Sequence, residues 1–203
     1  LDLDDPEVVE VLRRFLEKSP PGYIVNVATN GEDAIASSNL LQTVGQGYVS
    51  AGSYPAGTLG AGLLLIAQII NADLGARILY ITYGGFDNHA TQDTDHPPLL
   101  TNVSNGIKAL FDDLDAHGKS HDVLLMSWSE FGRRVQDNGS NGTDHGTLGA
   151  QFVVGNAVNA GIYGGVPDLS NLDDNGNRRM QNDFRSYYGT ILQDWLGADA
   201  AAI

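Results

Sequence analysis

The sequence predicts an α/β protein, a three-layer αβα sandwich with a largely parallel sheet. Two observations carry this. The runs Arg77 to Tyr83 and Val123 to Trp128 are rich in β-branched, aromatic and long apolar residues, and each ends in a glycine-rich or polar break. Helical periodicities alternate with them, giving the order helix, strand, helix, strand, strand, helix, which favours parallel pairing through crossovers.

Taken in order, Asp5-Pro6 followed by Val8, Val9, Val11, Leu12, Phe15 and Leu16 reads as an N-cap, a proline at N1 and an amphipathic helix that stops before Pro20-Pro21. Residues 24 to 44 give a weaker helical pattern, and 45 to 60 a glycine-rich loop. Leu59 to Ala72 is predicted as an apolar helix. Residues 77 to 83 form the first buried strand, which places Asp87 and His89 just past its carboxyl end. Leu99 to His117 carries apolar residues at Leu100, Val103, Ile107, Leu110, Phe111 and Leu114, a helix closed by Gly118. Residues 123 to 128 give a second buried strand with Glu130 and Arg133 beyond it. A loop over 137 to 146 leads to a third strand at 151 to 154. A polar loop follows at 168 to 179, and a last helix runs from about Asn182 to Leu196. No repeat or linker divides the 203 residues, so a single domain is expected.

Composition narrows the functions. Acidic residues number 25 against 11 basic ones, a net charge of -14, and the lysines are only Lys18, Lys108 and Lys119. Such a surface repels phosphate backbones and anionic membranes, so no nucleic-acid partner is expected. Cysteine is absent, which removes disulfides, thiolate chemistry and iron-sulfur clusters. The longest apolar stretch, Ala61 to Ile70, is too short to span a bilayer, and no membrane anchor is expected. The sequence opens on Leu1-Asp2 without a signal-peptide pattern, and a processed or truncated N-terminus is the expectation. Dinucleotide, phosphate-loop and nucleophile-elbow glycine motifs are missing, so no nucleotide cofactor is indicated.

Three polar clusters fall at strand ends, where ligands of open α/β sheets collect. They are Asp87 with His89, Glu130 with Arg133, and Asp144 with His145. Imidazole with carboxylate suits Zn²⁺, Mn²⁺ or Fe, whereas carboxylate and water suit Mg²⁺ or Ca²⁺; the mixture points to a divalent transition metal without naming it. Gly142 and Gly146 let Asp144 and His145 leave a tight loop in different directions, as two ligands of a binuclear site must. Glu130 reads as a ligand, a general base or the ion-pair partner of Arg133. Arg133 reads as a bidentate clamp on an anionic oxygen or as a partner of Glu130 or Asp144. His96 is expected at the surface, and His117 and His121 near a helix end, where a partial positive charge is favourable. Asn171-x-Asp173-x-Asn175-Gly176 imitates half a calcium loop. Asn182 stands where the bidentate glutamate should, so a polar turn is expected.

The segments Gly84-Gly85-Phe86-Asp87-Asn88-His89, Trp128-Ser129-Glu130-Phe131-Gly132-Arg133-Arg134, Gly142-Thr143-Asp144-His145-Gly146, Asp183-Phe184-Arg185 and Trp195-Leu196-Gly197 together resemble the DUF1501 family over about residues 60 to 197. The resemblance implies a place in the alkaline phosphatase and sulfatase superfamily, with an alkaline-phosphatase-like fold. There an Asp-His doublet in a Thr-x-Asp-His-Gly motif supplies metal ligands. It further implies export to the periplasm or beyond, and a metal-dependent hydrolase acting on a small anionic ester of phosphate or sulfate. The alternative is a non-catalytic extracellular structural or assembly module. Family members are longer, and this chain resembles their C-terminal half. A homo-oligomer, or pairing with an N-terminal half, is the corresponding expectation for partners.

Overall fold

A computed structural model describes residues 44–166 and 168–199. The helix expected over 5 to 16, and nearly all of the weaker pattern over 24 to 44, lie outside the described residues. Within them the elements are α1 (Thr58–Asn71), α2 (Gln92–Ala116), a 3-10 turn (Ser120–Asp122), β1 (Leu125–Met126), β2 (Gly132–Asp137), β3 (Thr143–Gly146), β4 (Val153–Val154) and α3 (Phe184–Thr190). A π-helical turn over Ile191–Trp195 continues α3. The chain divides into two compact units. Of the described residues, one contains 44–86 together with His96–Asp122; the other contains Asp87–Asp95 and those from Val123 to residue 199.

The helical unit is built on apolar spacing. On α1 the buried residues Leu59, Leu63 and Ala67 recur every fourth position, so they share one face. On α2 the buried positions are Gly106, Ala109, Leu110, Asp113 and Leu114. A Cβ at Gly106 would come within 2.7 Å of the Leu63 side chain, so glycine is what lets the helices approach there. Helix α2 starts at Gln92, earlier than its apolar periodicity suggests, and contains Pro97 and Pro98. The prolines remove two amide donors to the carbonyls of Asp93 and Thr94, both exposed residues whose oxygens water can reach.

Asp113 is fully buried on the apolar stripe of α2. Its carboxylate accepts from Ala51 N (2.8 Å), Ser50 Oγ (2.9 Å) and the Tyr54 hydroxyl (2.8 Å), which ties residues 50 to 54 to the helix. Burial pushes the Asp113 pKa up, but these bonds outweigh it and hold the group below its ordinary value. His117 ends the helix with Nδ1 2.8 Å from the Asp113 carbonyl oxygen, and its ring stacks on Tyr48. Such a contact between a helix-end histidine and a terminal carbonyl is a common way to close a helix.

The parallel sheet sandwich is overturned. The sheets among the described residues are two antiparallel pairs. In one, β1 pairs with β4, Leu125 opposite Val154. In the other, β2 pairs with β3, Gly132 opposite Gly146 and Arg133 opposite His145. Residues 77 to 83, expected as a buried strand, join no ladder among the described residues. Their burial alternates instead, leaving Ile78 42% and Tyr80 55% exposed. Strand propensity measures fit to a half-buried surface, and without a neighbouring strand the backbone bonds of a sheet do not form. Of the second expected strand only Leu125–Met126 is paired, and of the third only Val153–Val154.

Candidate metal centre

The second unit has few buried side chains. Among its described residues only Gly132 and Gly142 are buried, and both lie against backbone. A Cβ at Gly132 would overlap the Leu148 carbonyl, and one at Gly142 the His89 carbonyl. The segment that carries Asp87 and His89 is therefore packed directly on the loop before β3.

Polar bonds complete that junction. Thr91 N donates to Ser140 O (3.1 Å) and Gln92 N to Asn141 O (2.9 Å). The Gln92 side chain, in the first turn of α2, donates to Asn88 O (2.7 Å) and accepts from Thr143 N (2.9 Å) and Thr143 Oγ1 (3.0 Å). Asn138 Nδ2 donates to His89 O (2.8 Å) and to Asp144 Oδ1 (3.1 Å). Thr91 is held at φ 53°, where a β-branched residue is strained, and such strain gathers at functional sites.

These contacts bring Asp87, His89 and His145 together. Each offers one ligand atom, and the three atoms lie within 4.8 Å of one another. His145 Nε2 donates to Asp87 Oδ1 at 2.7 Å, with the side chains 42% and 67% exposed. The His89 and His145 rings are 4.6 Å apart. Ligands at about 2.0–2.2 Å from one ion stand roughly 3–3.5 Å from each other, so modest side-chain rotation at this exposed site closes the set. Two imidazoles and one carboxylate fit a borderline transition ion and leave coordination positions open; they suit Mg²⁺ or Ca²⁺ poorly.

Asp144 is not in this group. It lies in β3 next to His145, and adjacent strand residues alternate between the two faces. Its carboxylate takes the Asn138 amide instead. Glu130 is exposed beyond β1 and outside the cluster. Arg133 sits across the ladder from His145, and its Nη1 donates to Thr143 O at 2.6 Å. Its guanidinium lies 5.0 Å from the centre of the Phe131 ring. The 168 to 179 loop is a polar turn. Asp173 Oδ1 accepts from Asn177 N (2.8 Å) and Asn175 N (2.9 Å), and these bonds, the first above all, lower its pKa against the opposing effect of burial. His96 is half-buried, with its ring 5.6 Å from that of Phe86.

Gln92 and Asn138 were not among the residues that motif reading picked out, and Phe131 stood only inside the Trp128 to Arg134 segment, with no role given to it. Asn138-Gly139 is a hairpin-turn signal, and it could have flagged the flanking residues as paired strands, although the observed register, Arg133 opposite His145, is set by the longer 138 to 142 connection.

The described residues combine helices with two antiparallel strand pairs, and an exposed histidine-carboxylate cluster joins His145 of the β2–β3 hairpin to Asp87 and His89 of the segment before α2. The family described as "Protein of unknown function (DUF1501)" matches residues 35–187, and the chain belongs to that family. No curated protein and no solved structure matches the chain.

Proposed function

We propose that Asp87, His89 and His145 hold a divalent transition metal, and that the protein is a metal-dependent hydrolase of small phosphate or sulfate esters. The convergence of two imidazoles and a carboxylate from distant parts of the chain carries this reading. Bound there, the ion would polarise an ester oxygen and offset the charge that develops on it. The chain's own residues shape the site. Gln92 and Asn138 fix the backbone of the ligand segments, and Arg133 holds Thr143 in place while bringing a cation near His145. Glu130, exposed beside Phe131, is the candidate general base of this reading. Placement in the alkaline phosphatase and sulfatase superfamily rests on the Thr143 to Gly146 motif, and export on the signal that family members carry. No helix among the described residues is long and apolar enough to cross a membrane.

The test is metal analysis of purified protein alongside hydrolysis of aryl phosphate and aryl sulfate esters. Wild type should carry about one equivalent of Zn²⁺, Mn²⁺ or Fe, and turnover should vanish with it in His89→Ala/His145→Ala. Protein without stoichiometric metal that shows no gain on adding these ions overturns the reading.

A second reading, an assembly module, is favoured by Ile162, Tyr163 and Val166, which are 87%, 70% and 85% exposed in one short segment. Light scattering decides it, because an assembly module should not persist as a monomer.

A further inference from the structure

We propose that Phe131 is the positioning residue of this centre: its ring fixes the plane of the His145 imidazole and so sets metal affinity. The inference rests on the metal reading above and names a residue that would touch neither ion nor substrate.

His145 stands on an exposed strand, and an exposed histidine there would sample several rotamers. Phe131 removes that freedom. The two rings are stacked, with centroids 3.8 Å apart and planes 10° from parallel, while the His89 ring is tilted 33° from His145. In the metal-free protein the Asp87 bond at Nε2, which an ion held by both residues would replace, fixes one edge of the imidazole, and the Phe131 face fixes its plane. Together they define one orientation.

The platform is itself anchored. Ser129 Oγ donates to the Phe131 carbonyl at 3.0 Å, and the following residue, Gly132, is buried against the Leu148 backbone. Arg133 N donates to Leu148 O at 3.2 Å. Phe131 is half-buried on a backbone tied on both sides. A ligand held in its binding orientation loses less freedom when the ion arrives, and groups that orient a ligand typically change affinity by about 10–100-fold when removed.

Phe131→Leu removes the flat face and keeps an apolar side chain; Phe131→Tyr keeps the face. Zn²⁺ titration by calorimetry should show Phe131→Leu weakened about tenfold and Phe131→Tyr within about twofold of wild type. The visible spectrum of the Co²⁺-loaded protein should change in the leucine variant alone. In metal-free protein, the upfield ring-current shift of the His145 ring protons should be lost in Phe131→Leu and kept in Phe131→Tyr, while the melting temperature stays unchanged. Wild type that binds Zn²⁺ with Phe131→Leu equal to it overturns this proposal and leaves the metal reading standing. So does a tyrosine variant as weak as the leucine one. Wild type that binds no Zn²⁺ overturns the metal reading, and this proposal falls with it.

Discussion

In the helical unit, Leu59, Leu63, Ala67, Ala109, Leu110 and Leu114 are buried together; in the hairpin unit, the buried described positions are two glycines. The first follows the usual logic of apolar burial. The one buried charge among its described residues, Asp113, accepts from three donors. The second is held by backbone packed on backbone at Gly132 and Gly142 and by the bonds of Gln92 and Asn138. It has little apolar burial to stabilise it, and its functional side chains are exposed. A region of this kind belongs to the low-stability end of a molecule and gains most from a ligand that binds only the folded form.

The comparison is broken most forcefully in the helical core. Leu114→Ala removes a side chain only 1% exposed and should cost about 3 kcal/mol, seen as a lower midpoint in chemical unfolding. Asp113→Leu should cost about 2–3 kcal/mol, because Ala51 N, Ser50 and Tyr54 lose their acceptor. Acid gives the same information without a mutation. The Asp113 pKa is lowered in the folded state, so its contribution is present above the ordinary value of 3.8 and is lost as pH falls through the folded value. Unfolding that showed no acid-sensitive step removed by Asp113→Leu would argue against Asp113 as the tie between residues 50 to 54 and α2.

In the hairpin unit the informative change is Gly142→Ala. Its Cβ overlaps the His89 carbonyl, so the ligand segment must move. The expected result is loss of Zn²⁺ affinity by tenfold or more, with a smaller change in overall stability than Leu114→Ala produces. Equal metal affinity would show that the close approach does not set the site.

The smallest effect is expected at Tyr187, which donates to Ser127 O (2.9 Å) and Phe152 O (3.2 Å) and so bonds the end of β1 and the start of β4 to α3. Burial pushes its phenol up from 10.0 to about 12. Because the folded value is the higher one, this contribution is full below pH 10 and is lost as pH rises toward 12. Tyr187→Phe should flatten that part of the stability profile, followed by circular dichroism.

Periodicity made α1, most of α2 and the terminal helix legible, because each places apolar residues at helical spacing. It misjudged 77 to 83, where β-branched residues suggested a buried strand but no partner strand pairs with them among the described residues. The β2–β3 hairpin escaped notice because its strands, Gly-Arg-Arg-Val-Gln-Asp and Thr-Asp-His-Gly, lack apolar alternation and are held by backbone bonds and glycine packing. That omission has a direct cost at the site. Read as a loop, 143 to 146 let Asp144 and His145 converge; as a strand, it alternates their faces, and the group with ligand atoms within 4.8 Å is Asp87, His89 and His145. Asp113 was equally readable in principle, an acid on the apolar stripe of α2 with no cation beside it in sequence.

The central claim is therefore a choice between neighbours, and Zn²⁺ titration of His145→Ala and Asp144→Ala beside wild type decides it. The account predicts that His145→Ala loses measurable binding while Asp144→Ala stays within about tenfold of wild type, as expected for a residue outside the ligand set. Binding abolished by Asp144→Ala and retained by His145→Ala would contradict it.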